Sequence, residues 1–197
     1  MQNRLVVLVK HALPELRAGV APRHWTLGGR GEAGARRLAT ELRKLGAFRL
    51  EHSPEPKASR SAELIAVELG LERHERRGFE ELDRPASPIL SRAEHTAHNA
   101  RLFATPSLAV VGNESADRAL ARFEAALAAA VSDTLAHEHL VVITHGTVIA
   151  LLVAAHNAID GFALWQRLQC PSFVVLLADG YRLREVRDAI ASDAASE

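Results

Sequence analysis

Apolar strand-like runs alternating with amphipathic helices predict an α/β protein: a single-domain, three-layer α/β/α sandwich around a mostly parallel central sheet. Three observations carry this. Arg4 to Val9 and His139 to Thr144 are continuous apolar runs of strand length, as expected of strands buried on both faces. Each run is followed within two residues by a histidine, His11 and His145, at the end of the strand where open α/β sheets bind ligands. The 197 residues suffice for one well-buried core and are short for two.

In chain order, Lys10 and His11 close the first strand, and a Pro-punctuated loop runs from Leu13 to Arg23. Ala35, Leu38, Ala39, Leu42 and Leu45 then recur at helical spacing until Gly46. Phe48 to His52 reads as a second strand, ended by Ser53-Pro54. Ala58, Ala62, Ile65 and Leu69 mark the next helix, which Gly70 stops. From Glu72 to Gly112 the pattern weakens, with three prolines and a polar helical candidate at Arg92 to Phe103, so residues 72–112 are expected to form an insertion near the ligand end of the sheet. Ser115 is placed to cap an Ala-rich helix carrying Leu120, Phe123, Leu127 and Val131 on one face. After the strand His139 to Thr144, His145-Gly146-Thr147 opens a helix reaching about Asn157. Ser172 to Ala178 and Tyr181 to Val186 flank Asp179-Gly180, a strong hairpin signal. The domain is expected to span 1–187, with 188–197 a flexible tail.

Composition narrows the function classes. Lys+Arg and Asp+Glu are both 24, which leaves no global positive field to attract nucleic acid or an anionic membrane. No apolar run approaches spanning length and no leader pattern precedes the first strand, so the protein is expected to be soluble and cytoplasmic. Cys170 stands alone, which excludes an internal disulfide and a cysteine-based zinc cluster. A homodimer is left open.

The order of motifs along most of the chain is Lys10-His11-Ala12, His52-Ser53-Pro54-Glu55-Pro56-Lys57-Ala58, Phe79-Glu80-Glu81 and Thr144-His145-Gly146. It resembles the histidine phosphatase superfamily, the phosphoglycerate mutase-like proteins. There an Arg-His-Gly follows the first strand, a Ser-Ser-Pro-Leu-x-Arg-Ala pattern supplies a second arginine, and a Ser-His-Gly comes late. Lys10 and Lys57 stand at the two arginine positions, Ala12 at the glycine, and Arg17 where the family has an asparagine. The chain has only three lysines among its 24 basic residues, so finding two of them at these positions is poorly explained by random drift and suggests a retuned phosphate pocket. Lysine keeps the charge and loses the bidentate fork.

The resemblance implies a phosphatase without cofactor or metal, and the chemistry of the residues agrees. A neutral imidazole can attack phosphorus in line and divide hydrolysis into two easier steps, a role that suits His11. A second imidazole, preferably protonated, and the start of a helix can donate to the phosphoryl oxygens, which suits His145 with Gly146. Lys10 and Lys57 would bind phosphate. A carboxyl group must protonate the leaving alkoxide, with a pKa raised by burial; Glu81 is assigned, and Glu80 is its alternative. Arg17, His24 and His95 are candidates for the wall of the substrate pocket, because all lie in loops that the family fold would bring there.

Other readings are weighed beside this one. Gly29-x-Gly31-x-x-Gly34 matches a dinucleotide fingerprint but lacks the strand that must precede it. His95-x-x-His98 and His137-x-His139 have no evident third metal ligand, and Trp25 and Trp165 read as packing residues. A mutase is the enzyme alternative, although mutases of this family resemble longer chains. A phosphate-ligand binding or regulatory protein without turnover is the non-enzyme alternative, motivated by the missing arginines. The expected substrate is a small phosphorylated molecule.

Overall fold

The computed structural model describes residues 4–46, 48–86 and 88–190, so the expected tail lies from residue 191 onward outside the described residues. Its centre is a six-stranded sheet made of β1 (Leu5–Lys10), β2 (Phe48–His52), β3 (Arg73–Glu75), β4 (His139–Thr144), β5 (Ser172–Leu177) and β6 (Leu183–Arg187), in the order β3-β2-β4-β1-β5-β6. The pairs β2–β3, β2–β4 and β1–β4 are parallel, while β5 runs antiparallel to β1 and to β6. The helices are α1 (Gly29–Leu42), α2 (Pro56–Leu69), α3 (Arg92–Ala104), α4 (Ala116–Asp133), α5 (Gly146–His156) and α6 (Gly161–Arg167).

Alternation along the strands fills two apolar layers. Val6, Leu8, Leu140 and Val142 pack with Phe123 and Leu127 of α4 and with the apolar body of α5. Val7, Val9, Val141 and Ile143 pack against Leu38 and Leu42 of α1 and Ala62 and Ile65 of α2. A strand buried on both faces must be apolar throughout, which is why β1 and β4 show no alternation in sequence. The chain is therefore the single-domain three-layer sandwich that the sequence predicts.

Three local expectations change. Helix α1 begins at Gly29 rather than near Ala35, and the fingerprint glycines lie inside it. A Cβ on Gly31 would sit 2.1 Å from the Leu13 carbonyl oxygen, so this glycine serves the close approach of helix to loop rather than a dinucleotide. Residues 73–75 of the weakly patterned segment form the edge strand β3. The β5–β6 hairpin forms, but its loop spans 178–182 with positive φ at Gly180 and Tyr181, not at Asp179-Gly180. Asn157 fixes that loop from the end of α5, donating to Tyr181 O and accepting from Leu183 N.

Candidate active site

The sheet register brings two histidines together. Lys10 pairs with Thr144 at the ends of β1 and β4, so the residues that follow them, His11 and His145, emerge side by side. Their rings are 5.1 Å apart, centroid to centroid, and both are buried. Backbone bonds from His11 N to Thr144 O (2.9 Å) and from Ser53 N to Ile143 O (2.9 Å) lock the three strand ends together.

His11 Nδ1 lies 2.7 Å from Ala12 O. A carbonyl only accepts, so Nδ1 carries the ring proton of the neutral imidazole and Nε2 keeps its lone pair. Burial, then His145 and Lys57, push the His11 pKa well below its usual value, and the ring is neutral near pH 7. The same holds for His145, where burial and then Lys57 outweigh the opposite pull of Glu81. The protonated His145 expected from its role is thus not the state of the free protein. Its Nε2 lies 2.9 Å from Ser53 Oγ, and its Nδ1 is buried without a hydrogen-bond partner among the described residues.

The two lysines come from the end of β1 and from the first turn of α2. Lys10 Nζ donates to Leu168 O (2.7 Å), and its side chain lies along Gly146, where a Cβ would come within 3.0 to 3.2 Å of it; glycine at the start of α5 makes that path possible. Lys57 is 4% exposed, donates to Pro22 O (2.8 Å) and forms an ion pair with Glu55. Glu55 lies only 3.6 Å from His145 Nε2. It occupies the motif position where the family pattern has leucine, and that acid between two prolines is the signal by which it could have been found.

Glu81 comes from the segment between β3 and α3. Its Oε1 accepts from its neighbour Leu82 N (3.0 Å) and its Oε2 from Thr147 N (3.1 Å) in the first turn of α5. Burial pushes its pKa up, but His145, the Arg84 guanidinium and the Leu82 N–H together hold it below the usual carboxylate range. The raised pKa expected of this group is therefore absent in the free protein, because burial in company with a cation and two donors favours the anion. Glu80, the alternative, accepts from Gly78 N and is half-buried beside Arg122.

Arg122, on α4, was invisible as a site residue in sequence. Its guanidinium donates to Gly78 O (3.0 Å), Glu80 O (2.8 Å) and Glu81 O (2.9 Å), and Glu114 holds it from behind at 2.7 and 2.9 Å. Arg84 donates to Asn99 (2.9 Å) and approaches His95 Nε2 (3.3 Å). His95 is exposed in part, its ring packs on Trp165, and desolvation followed by Arg84 pushes its pKa down to about 4.

A cleft of about 570 Å³ borders this centre through Glu55 and Glu81 and is lined also by Arg23, His24, Pro54, Pro56, Glu80 and Asp83. His24 is thus on the cleft. Arg17 is not among its lining residues; its exposed side chain pairs with Glu15. No group of three His, Cys, Asp or Glu among the described residues is arranged to hold a metal, and His139 Nδ1 accepts from Leu5 N. No helix among them is long and apolar enough to cross a membrane.

The family model described as the histidine phosphatase superfamily (branch 1) matches residues 6–187. The chain belongs to that superfamily. Solved structures of similar fold include a mycobacterial glucosyl-3-phosphoglycerate phosphatase, with a TM-score of 0.75 and 19% identity over 95% of this chain and 100% of that chain. A protein described as mycobacterial hydrolase 2 gives a TM-score of 0.79 and 20% identity over 99% and 94%. A putative alpha-ribazole-5'-P phosphatase from Escherichia coli gives a TM-score of 0.64 and 19% identity over 98% and 100%. At such identities these likenesses concern the fold. Among curated proteins none matches this superfamily member in sequence.

Proposed function

We propose that this protein is a metal-independent phosphatase of small phosphomonoesters that works through a phosphohistidine on His11. The observation that carries the reading is the pair of buried, neutral imidazoles at neighbouring strand ends, one with its Nε2 lone pair available. In the first step that lone pair attacks phosphorus, the bond to the leaving oxygen breaks, and the alkoxide takes a proton from the Glu81 carboxyl. In the second, water attacks phosphorus and gives its proton to Glu81, and the N–P bond breaks to release phosphate. A phosphoryl oxygen would supply the partner that His145 Nδ1 lacks, and Lys10, with Gly146 beside it, would balance its charge. Glu81 must be protonated to act as acid; the arriving phosphoryl charge raises its pKa in the complex, since like charges disfavour the anion. Activity in the cytoplasm on a phosphorylated metabolite fits the balanced charge and the lone cysteine.

The test is a quenched turnover with labelled substrate in the presence of a chelator. Label should reside on His11, acid-labile and base-stable, and should vanish in His11→Ala. Label on a serine, or label surviving in His11→Ala, refutes the assignment. One observation favours a second reading, binding without turnover: Lys57 is already engaged by Glu55. That reading predicts saturable vanadate binding with no label at all.

A further inference from the structure

The Lys57–Glu55 pair places a carboxylate inside a site built for an anion. Glu55 is the residue before the first turn of α2, and it is 6% exposed on the floor of the cleft. One oxygen accepts from Glu81 N (2.8 Å) and lies 3.6 Å from His145 Nε2; the other meets Lys57 Nζ. An ammonium has three N–H donors, and Lys57 has committed one to this carboxylate and one to Pro22 O.

The charges around the histidines then sum to little. Lys57 is offset by Glu55, and Glu81 is offset by Arg84, each of which shifts the other's pKa. Lys10 donates to the neutral Leu168 carbonyl and pairs with no carboxylate among the described residues. In a buried setting, where charges act through an effective dielectric far below that of water, a fixed carboxylate this close competes directly with phosphate oxygens for the same cation.

Building on the phosphatase reading, we propose that Glu55 is the affinity-setting residue of the site: an internal counter-anion that a phosphoryl group must displace from Lys57. Bound phosphate shares or takes the Lys57 ammonium, and the tightness of the site is limited by the contact given up. Lysine at position 57 suits this exchange. Its single point charge passes from one acceptor to another, whereas a guanidinium forked onto Glu55 would hold both its oxygens.

The experiment measures the affinity of the full chain for inorganic phosphate and for vanadate by calorimetry, which requires no turnover. Glu55→Gln keeps size and an oxygen for Glu81 N but removes the charge, and it should bind both anions roughly tenfold tighter. The gain should disappear in Glu55→Gln combined with Lys57→Met, because it passes through that ammonium. Glu55→Gln without anion should melt lower than wild type, having left Lys57 unpaired, and phosphate should raise its melting temperature more than that of wild type. Should Glu55→Gln fail to fold, Glu55→Asp, which withdraws the carboxylate from Lys57, should also bind tighter than wild type. Wild type that binds phosphate while the variants bind it equally or more weakly overturns the role of Glu55 and leaves the phosphatase reading standing. Absence of phosphate and vanadate binding in wild type and variants alike overturns both.

Discussion

The floor and the wall of the site are held by different physics. His11 and His145 are placed by the register of two parallel strands in the interior of the sheet, so few local rearrangements can move one ring without breaking the sheet. Glu81 sits in a stretch between β3 and α3 with no regular structure of its own. It is held by Arg122 from a helix 41 residues away, by Thr144 Oγ1 donating to Phe79 O (2.7 Å), and by the Asp83 contacts to Arg23 and Asn113. The difference teaches that the proposed nucleophile is positioned by the fold and the proposed proton donor by a few side chains. Damage to the floor should abolish chemistry in place, while damage to the wall should misplace groups that are chemically intact.

The largest effect should come from the floor. His11→Ala should lower turnover by at least about 10⁴-fold with the fold unchanged, because nothing else at the end of β1 can take the phosphoryl group. Next is the donor itself: Glu81→Gln should cost about 10²- to 10⁴-fold on alkyl phosphates, measured as kcat, and spare phosphorylation by nitrophenyl phosphate, whose leaving group needs little protonation. Equal losses on both substrates would show that Glu81 binds rather than transfers protons. Glu80→Gln should do little, since its carboxylate bonds Gly78 N and lies against Arg122.

Arg122→Ala isolates the wall. It should cost on the order of 10²-fold on alkyl phosphates through a displaced donor while His11 still accepts label from nitrophenyl phosphate. Loss of labelling as well would mean that wall and floor are not separable.

Acid should strain the floor in a defined window. Both histidines have folded pKa values well below the ordinary one, so the unfolded chain binds more protons as pH falls below about 6.5. The stability they contribute is fully present above that pH and is lost as pH drops toward their folded values, before the depressed Glu51 and Glu81 add their own loss at lower pH. The urea midpoint should therefore decline from pH 7.5 to pH 5.5, and less so in His11→Asn. A flat profile would show that the rings are not held neutral by the fold. The smallest effect is expected from Lys10→Arg with Lys57→Arg: a few-fold lower kcat/KM on the preferred substrate, because a guanidinium at position 10 must fit beside Gly146 and one at 57 is buried among Pro22 and Glu55. Higher activity on generic esters would mean instead that the pocket had decayed.

What was legible in the sequence follows the same division. The residues alone determined β1, β4 and α5, because a strand covered on both faces must be apolar and the histidines simply follow its end. Strand β3, Arg-His-Glu, gave no signal: it is an edge strand held by β2 alone and needs no apolar face. Seven-residue α6 was too short for periodicity to show. Nothing in the sequence set Arg122 apart from the other charges of α4, and Glu55 stood out only as an acid between two prolines. Only the tertiary structure decided what these two do, along with the protonation of Glu81 and His145. Each has a partner between 26 and 92 residues away in the chain, and the energy of a buried charge depends on what surrounds it in space, which neighbours in sequence do not record.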